Sequence, residues 1–140
     1  MLLHPPTITF GDLTLDNVLA VAIERTAARE VVDFTDLGPH IAFADVPEQR
    51  IALTVIRRPS PPELASLQPG AIGPLAFAAA QSAADAHRIR ITARVMLREV
   101  RYDLTDGSSG STPRAAPRQS LHFLAISPDG LADPITIETV

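Results

Sequence analysis

From Arg88 to Leu104 the chain reads RIRITARVMLREVRYDL, with apolar residues at Ile89, Ile91, Ala93, Val95 and Leu97. Arg88, Arg90, Thr92, Arg94 and Arg98 stand between or beside them. A repeat of two is the repeat of a strand, whose successive side chains point to opposite faces. The segment therefore predicts one long strand with an apolar face and an arginine-rich face. Past Leu97 the phase slips, and Val100, Tyr102 and Leu104 become the apolar set. A slip of one residue turns the faces over, so it predicts a β-bulge near Arg98–Glu99 or a passage between two environments.

The rest of the chain reads mostly as strand. Thr7–Asp16 (TITFGDLTLD) predicts two short strands about a Gly-Asp turn. Asn17–Arg25 alternates weakly and admits helix or strand; its β-rich neighbours favour strand, continuing through Arg29–Phe34. Thr35–Gln49 reads as a long loop, with Gly38-Pro39 and Pro47 as breakers. Arg50–Arg58 predicts a strand with Ile51, Leu53 and Val55 on one face.

One helix is marked. Ser60 suits an N-cap, Pro61 and Pro62 suit a first turn, Glu63 suits the positive end, and Gln68-Pro69-Gly70 ends the element. Ala76–Ala86 has helix propensity, but Gly73-Pro74 precedes it, and the reading adopted is a strand over Leu75–Ala80 with a turn at Ser82–Asp85. Thr105–Arg118 is rich in Gly, Ser and Pro and predicts a second long, mobile loop. Gln119–Ile126 predicts a strand, Ser-Pro-Asp-Gly a turn, and Ile135 with Ile137 a last short strand. The fold class expected is mainly β, an antiparallel sandwich or barrel with one short α-helix and two long loops, in a single domain over residues 1–140.

Charge changes this picture by its position. All twelve basic residues are arginine. Residues 1–48 carry a net charge of −6, residues 49–118 a net of +5, and the remainder −3. An acidic third and a basic middle can pair within a subunit or between subunits. No cysteine is present, which excludes disulfides, thiolate metal sites and cysteine nucleophiles. The opening MLLHPPTITFGD lacks the basic start and apolar run of a signal peptide, and no stretch approaches the length of a membrane-spanning helix.

Catalytic chemistry has little to stand on. His4, His40, His87 and His122 show no metal-ligand spacing, and His122 among Leu121, Phe123 and Leu124 reads as a satisfied, half-buried side chain. PGAIGP lacks the strand, helix and lysine of a phosphate loop, and DLTDGSSG lacks the spaced carboxylates of a calcium loop. No catalytic, cofactor or metal site is expected, and the chain is read as a non-enzyme. For the arginine row three readings stand: a solvated face, a nucleic-acid face, or a face that meets acids of a neighbouring subunit. The net charge of −4 and the scarcity of aromatics among the arginines speak against nucleic acid.

The order of elements resembles the tail tube proteins of tailed bacteriophages, with pyocin and type VI secretion tubes as relatives. It is carried by an N-terminal hairpin, a strand and long loop (REVVDFTDLGPHIAFADVPEQ), RIALTVIRR, the helix SPPELASL, GAIGPLAF, the long strand, and QSLHFLAISPDG, from about Thr7 to Gly130. The resemblance implies hexameric rings whose sheets join into one inner β-barrel and which stack into a tube that conducts DNA. It implies a virion tail location after assembly in the host cytoplasm, no membrane partner, and no cofactor. The partners implied are further copies of the chain, sheath, terminator, baseplate or tape-measure proteins, and genomic DNA only in passage. On that reading Arg88, Arg90, Arg94 and Arg98 meet Glu30, Asp33, Asp36 and Asp45 across a subunit interface. The inter-ring loops contain Gly38, Pro39 and His40, and Gly107, Ser108, Ser109 and Gly110. The alternatives are a monomeric β-sandwich or barrel that binds a ligand, and a terminator or baseplate protein of related fold.

Overall fold

A computed structural model describes residues 2–59, 67–80, 88–106 and 115–139. Nine strands occur among them: β1 (Leu2–Leu3), β2 (Ile8–Phe10), β3 (Leu13–Leu15), β4 (Val18–Phe34), β5 (Ile41–Arg57), β6 (Ile72–Ala80), β7 (Arg88–Asp106), β8 (Ala115–Ala125) and β9 (Ile135–Thr139). All pair antiparallel in a single sheet of order β1-β4-β5-β8-β7-β6-β2-β3, with β9 also on β7. Among the described residues there is no helix; the one expected from Ser60 falls on residues outside them, apart from Leu67, which is buried. The expected turn at Ser82–Asp85 and the loop around Gly107–Gly110 also lie outside the described residues.

The period-two pattern of β7 becomes burial. Ile89, Ile91, Ala93, Val95 and Leu97 enter the core, while Arg88, Arg90, Arg94 and Arg98 are exposed. The phase slip is a real irregularity: the register against β8 jumps between Leu97 and Glu99, opposite Phe123 and His122. Arg98 is the extra residue. Beyond it Val100 packs against the core while Glu99 and Arg101 are exposed, as a bulge that restores inward pointing requires.

The sheet curls. Phe10 on β2 and Phe123 on β8 lie three steps apart in the order, with β7 and β6 between them, about 14 Å in a flat sheet, yet their rings meet edge-on with centroids 5.1 Å apart. Curling gives a single inner face, onto which Ile8, Val21, Leu53, Val55, Leu75 and Leu121 project. Among the described residues the sheet does not close: its end strands β1 and β3 pair only with β4 and β2. It is an open curled sheet rather than a sealed barrel.

Local chemistry explains several ends and crossings. Gly11 and Asp12 make a two-residue turn between Phe10 and Leu13, and Gly11 has φ +58°, the sign that the first central position of a type II′ turn demands. Pro74 is tolerated inside β6 because its carbonyl, and so its missing N–H, faces the edge where β2 has already turned at Gly11. The alanines of β6 adopt strand in spite of their helix propensity, since β7 pairs with Ala76, Ala78, Ala79 and Ala80, and β2 pairs with Ala76 from the other side. A polar chain crosses the inner face at one end: Arg57 donates to the Asp16 carbonyl (3.1 Å) and to Gln119 Oε1 (3.0 Å), and Gln119 donates to the Tyr102 hydroxyl (3.2 Å). Arg57 is only 1% exposed, so these bonds offset the removal of its charge from water.

Both expected long loops are shortened: of the second, Thr105–Arg118, the structure gives Thr105 and Asp106 to β7 and Ala115–Arg118 to β8, with Thr105 paired to Ala116 and Asp106 to Ala115. Thr35–Gln49 is not a long loop: β5 begins at Ile41, and only residues 35–40 connect the strands. Pro47, read as a breaker, sits in a bulge where the register steps from Arg29↔Glu48 to Val31↔Asp45, so its missing N–H interrupts no ladder bond. The turn read at Ser-Pro-Asp-Gly is likewise part of a larger excursion. The strand β8 stops at Ala125 opposite Val95, β9 starts at Ile135 opposite Ala93, and residues 126–134 leave the sheet between them.

Because Phe123 is buried against Phe10 at the centre of the curl, Phe123→Ala is expected to cost about 3–5 kcal/mol. Equilibrium urea unfolding against the wild-type chain measures it; a loss under about 1 kcal/mol would mean the curl does not depend on that contact.

Candidate functional site

The two longest strands of the first half do more than complete the sheet. β8 pairs with β5 only over Ala52–Arg57, and β1 pairs with β4 only at Val21 and Ala22. From Thr26 and Arg50 outward, β4 and β5 pair with each other alone among the described residues, and every residue there is exposed. The result is a two-stranded ribbon that leaves the sheet and extends roughly 25–30 Å to its tip. At the tip Asp36, Gly38, Pro39 and His40 surround Leu37, which is 96% exposed.

The ribbon's faces follow from its register. Val31↔Asp45 and Asp33↔Phe43 are successive pairs on one face, so the apolar and acidic side chains form a two-by-two checkerboard. Val32 and Ala44 occupy the other face, and Phe34 follows Val32 on the same side. Large apolar side chains are thus exposed on both faces. The ribbon also carries Glu30 and Glu48; Arg29 reaches Glu48 at 3.8 Å, a long exposed pair.

The arginine row lies on a separate surface, the outer face of β7. Arg90 stands opposite Ala78 of β6 and Glu138 of β9, Arg94 opposite Pro74, and Thr92 opposite Ala76 and Thr136. The floor between the arginines is therefore small and flat. The four residues Arg88, Arg90, Arg94 and Arg98 share one exposed side of one strand, while Glu30, Asp33, Asp36 and Asp45 all lie on the ribbon or its tip. The structure brings each set together, and it does not bring the two sets into contact with each other within the described residues.

A cleft of about 490 Å³ opens where the ribbon parts from the sheet, lined by Arg25, Gln49, Ile51, Ala125, Leu131 and Asp133. Arg25 donates to Asp133 across it at 2.9 Å. The excursion 126–134 forms the opposite wall and is held by Asp129, whose Oδ1 accepts from the N–H groups of Leu131 and Ala132 at 2.8 Å each. Both carboxylates are held below their ordinary value of 3.8. For Asp129 the first cause is the Ala132 N–H, then the Leu131 N–H; for Asp133 it is the Ile135 N–H, then the bond from Arg25. Among the described residues no three His, Asp or Glu side chains gather as metal ligands do. His122 is half-buried and meets the Thr54 hydroxyl at 3.3 Å through Nδ1.

Sequence reasoning located the arginine row and the acids but missed the apolar half of the checkerboard. Its signal was present: Ile41 and Phe43 alternate with Ala42 and Ala44, as in a strand. The Arg25–Asp133 pair joins residues 108 apart in sequence, and no local pattern announces such a contact. No protein-family model, curated protein or solved structure matches this chain.

A carboxylate with a depressed pKa stabilises the fold at neutral pH and loses that contribution as pH falls below 3.8 through its folded value. Replacing Arg25 by Met is expected to raise the Asp133 pKa and leave that of Asp129 unchanged, because the donors to Asp129 belong to its own loop. A carbon-detected NMR titration of the two carboxyls reads both; parallel movement of the two would contradict this division of causes.

Proposed function

We propose that the chain is a self-assembling structural subunit of a tail tube like those of tailed bacteriophages. Its copies close into rings, hexameric as the resemblance implies, and the rings stack around a channel for genomic DNA. The observation that carries this reading is the ribbon. A two-stranded ribbon standing alone is marginal in water, and this one exposes Val31, Val32, Phe34, Ile41, Phe43 and Val46 as well. Such a surface is stable when another protein covers it.

The open sheet supports the same reading. A curled sheet with free end strands leaves unpaired backbone groups, and neighbours in a ring satisfy them by joining their sheets, so that barrel closure belongs to the assembly. On this proposal the chain works in the virion tail after assembling in the host cytoplasm. Sheath, terminator, baseplate or tape-measure proteins are its further partners, and it carries out no catalysis. A terminator or baseplate protein of related fold would assemble through the same ribbon. A second reading, a monomeric binding module, draws on the 490 Å³ cleft beside Arg25 and Asp133.

Negative-stain electron microscopy and light scattering over a series of protein and salt concentrations separate the two. Rings or tubes with a central hole are the expected result. A 15.0 kDa monomer at every concentration, with the amides of Val31 and Phe43 protected from hydrogen exchange, would overturn the proposal, since the ribbon would then need no cover.

A further inference from the structure

The arginine face and the ribbon carry complementary, unsatisfied charge. Arg88, Arg90, Asp33 and Asp45 are all exposed, and none makes an ion pair or side-chain hydrogen bond with another described residue. Within the ribbon, residues 27–49 carry five acids against the single Arg29. A pair of like charges that close together, making no ion pair with the described residues of its own surface, is an arrangement that association relieves.

The spacings of the two surfaces also agree. Arg88 and Arg90 are two residues apart on one strand face, about 6.6–6.8 Å. Asp33 and Asp45 are diagonal neighbours across an antiparallel pair, since Asp33 faces Phe43 and Asp45 lies two residues further along β5. Such diagonals are about 7–8 Å apart. The remaining corners of the checkerboard, Val31 and Phe43, are large and apolar, whereas the β6 residue paired with Arg90 is Ala78, with Ala76 next to it on the same face opposite Thr92. Small side chains on one surface leave room for a large one from the other, on the β6 side of the arginine pair.

From this match we propose that the ribbon of one copy docks on the outer β6–β7 face of a second copy, with Asp33 and Asp45 on Arg88 and Arg90, and with Val31 and Phe43 on opposite sides of that line, one of them over Ala78. The inference rests on the self-assembly reading above and specifies its contact. The two surfaces are different patches of the same chain, so the contact is head-to-tail, the kind that generates a ring when its rotation closes. Glu138, opposite Arg90 in register, is the nearest competing acid; it belongs to the same face and leaves Arg88 without a carboxylate partner among the described residues.

A charge exchange tests it. One variant carries Asp33→Arg and Asp45→Arg, the other Arg88→Glu and Arg90→Glu; all four positions are exposed, and circular dichroism verifies that each variant folds. Each variant alone is expected to lose the oligomer seen by sedimentation velocity for the wild-type chain. An equimolar mixture is expected to regain it, because the reversed ribbon meets the reversed face and the two native surfaces still meet each other. Raising salt should weaken the mixture's assembly as it weakens that of the wild type. Persistence of the oligomer in either variant alone, or failure of the mixture where the wild type assembles, overturns this contact and leaves tube assembly standing. A wild-type chain that stays monomeric overturns both.

Discussion

The structure depends on β7 being paired along both edges. One edge holds β6 from Ile72 to Ala80; the other holds β9 over Ile89–Ala93 and then β8 from Val95 onward. A strand paired on both sides and packed on one face has its register fixed, because a slip of one residue would turn Ile91, Val95 and Leu97 to solvent and the arginines into the core. Every other strand is placed by reference to it. β2 and β3 attach through β6, while β5, β4 and β1 attach through β8. The bulge at Arg98 lets one strand serve both halves, since the sheet turns there and the inward residues change phase with it.

Much of that frame is written in local pattern, and the reason is physical. Alternation survives wherever one face of a strand is buried and the other is wet, so β7, the Ile51–Val55 part of β5 and the β2–β3 hairpin were legible from residue order alone. The phase slip after Leu97 was legible for the same reason. The outer half of β5 was not, because neither of its faces meets the core and its alternation marks no inside. Pro47 then argued for a loop, and only the register against β4 reveals the bulge that accommodates it. The excursion at residues 126–134 was hidden differently. Its ends rejoin the same edge of β7, and sequence does not show that two short strands share one line.

The candidate surfaces divide in the same way. That Arg88, Arg90 and Arg94 share a face follows from their even spacing. The grouping of Asp33 with Asp45 does not, since it arises across two strands. Their apolar neighbours Val31 and Phe43 gain meaning only once they are seen beside those acids on an uncovered ribbon. Exposed valines singly would be ordinary. Here they alternate with carboxylates on a stretch that no third strand covers among the described residues.

The ribbon is also a continuation of the core hairpin, the same two strands carried past the last sheet neighbour without a joint. Mechanically it is a lever. Its fulcrum lies near Arg25 and Ile51, where the Arg25–Asp133 bond ties the root to the excursion. With a length of roughly 25–30 Å, one degree of rotation at the root carries Leu37 through about 0.5 Å. From the root β5 runs directly into its pairs with β8 from Ala52 to Arg57, whose hydrogen bonds lie perpendicular to the strands, so a pull along the ribbon meets them as shear. At the far end of that seam the chain of Arg57, Gln119 and Tyr102 ties β5, β8 and β7 together by side-chain hydrogen bonds as well.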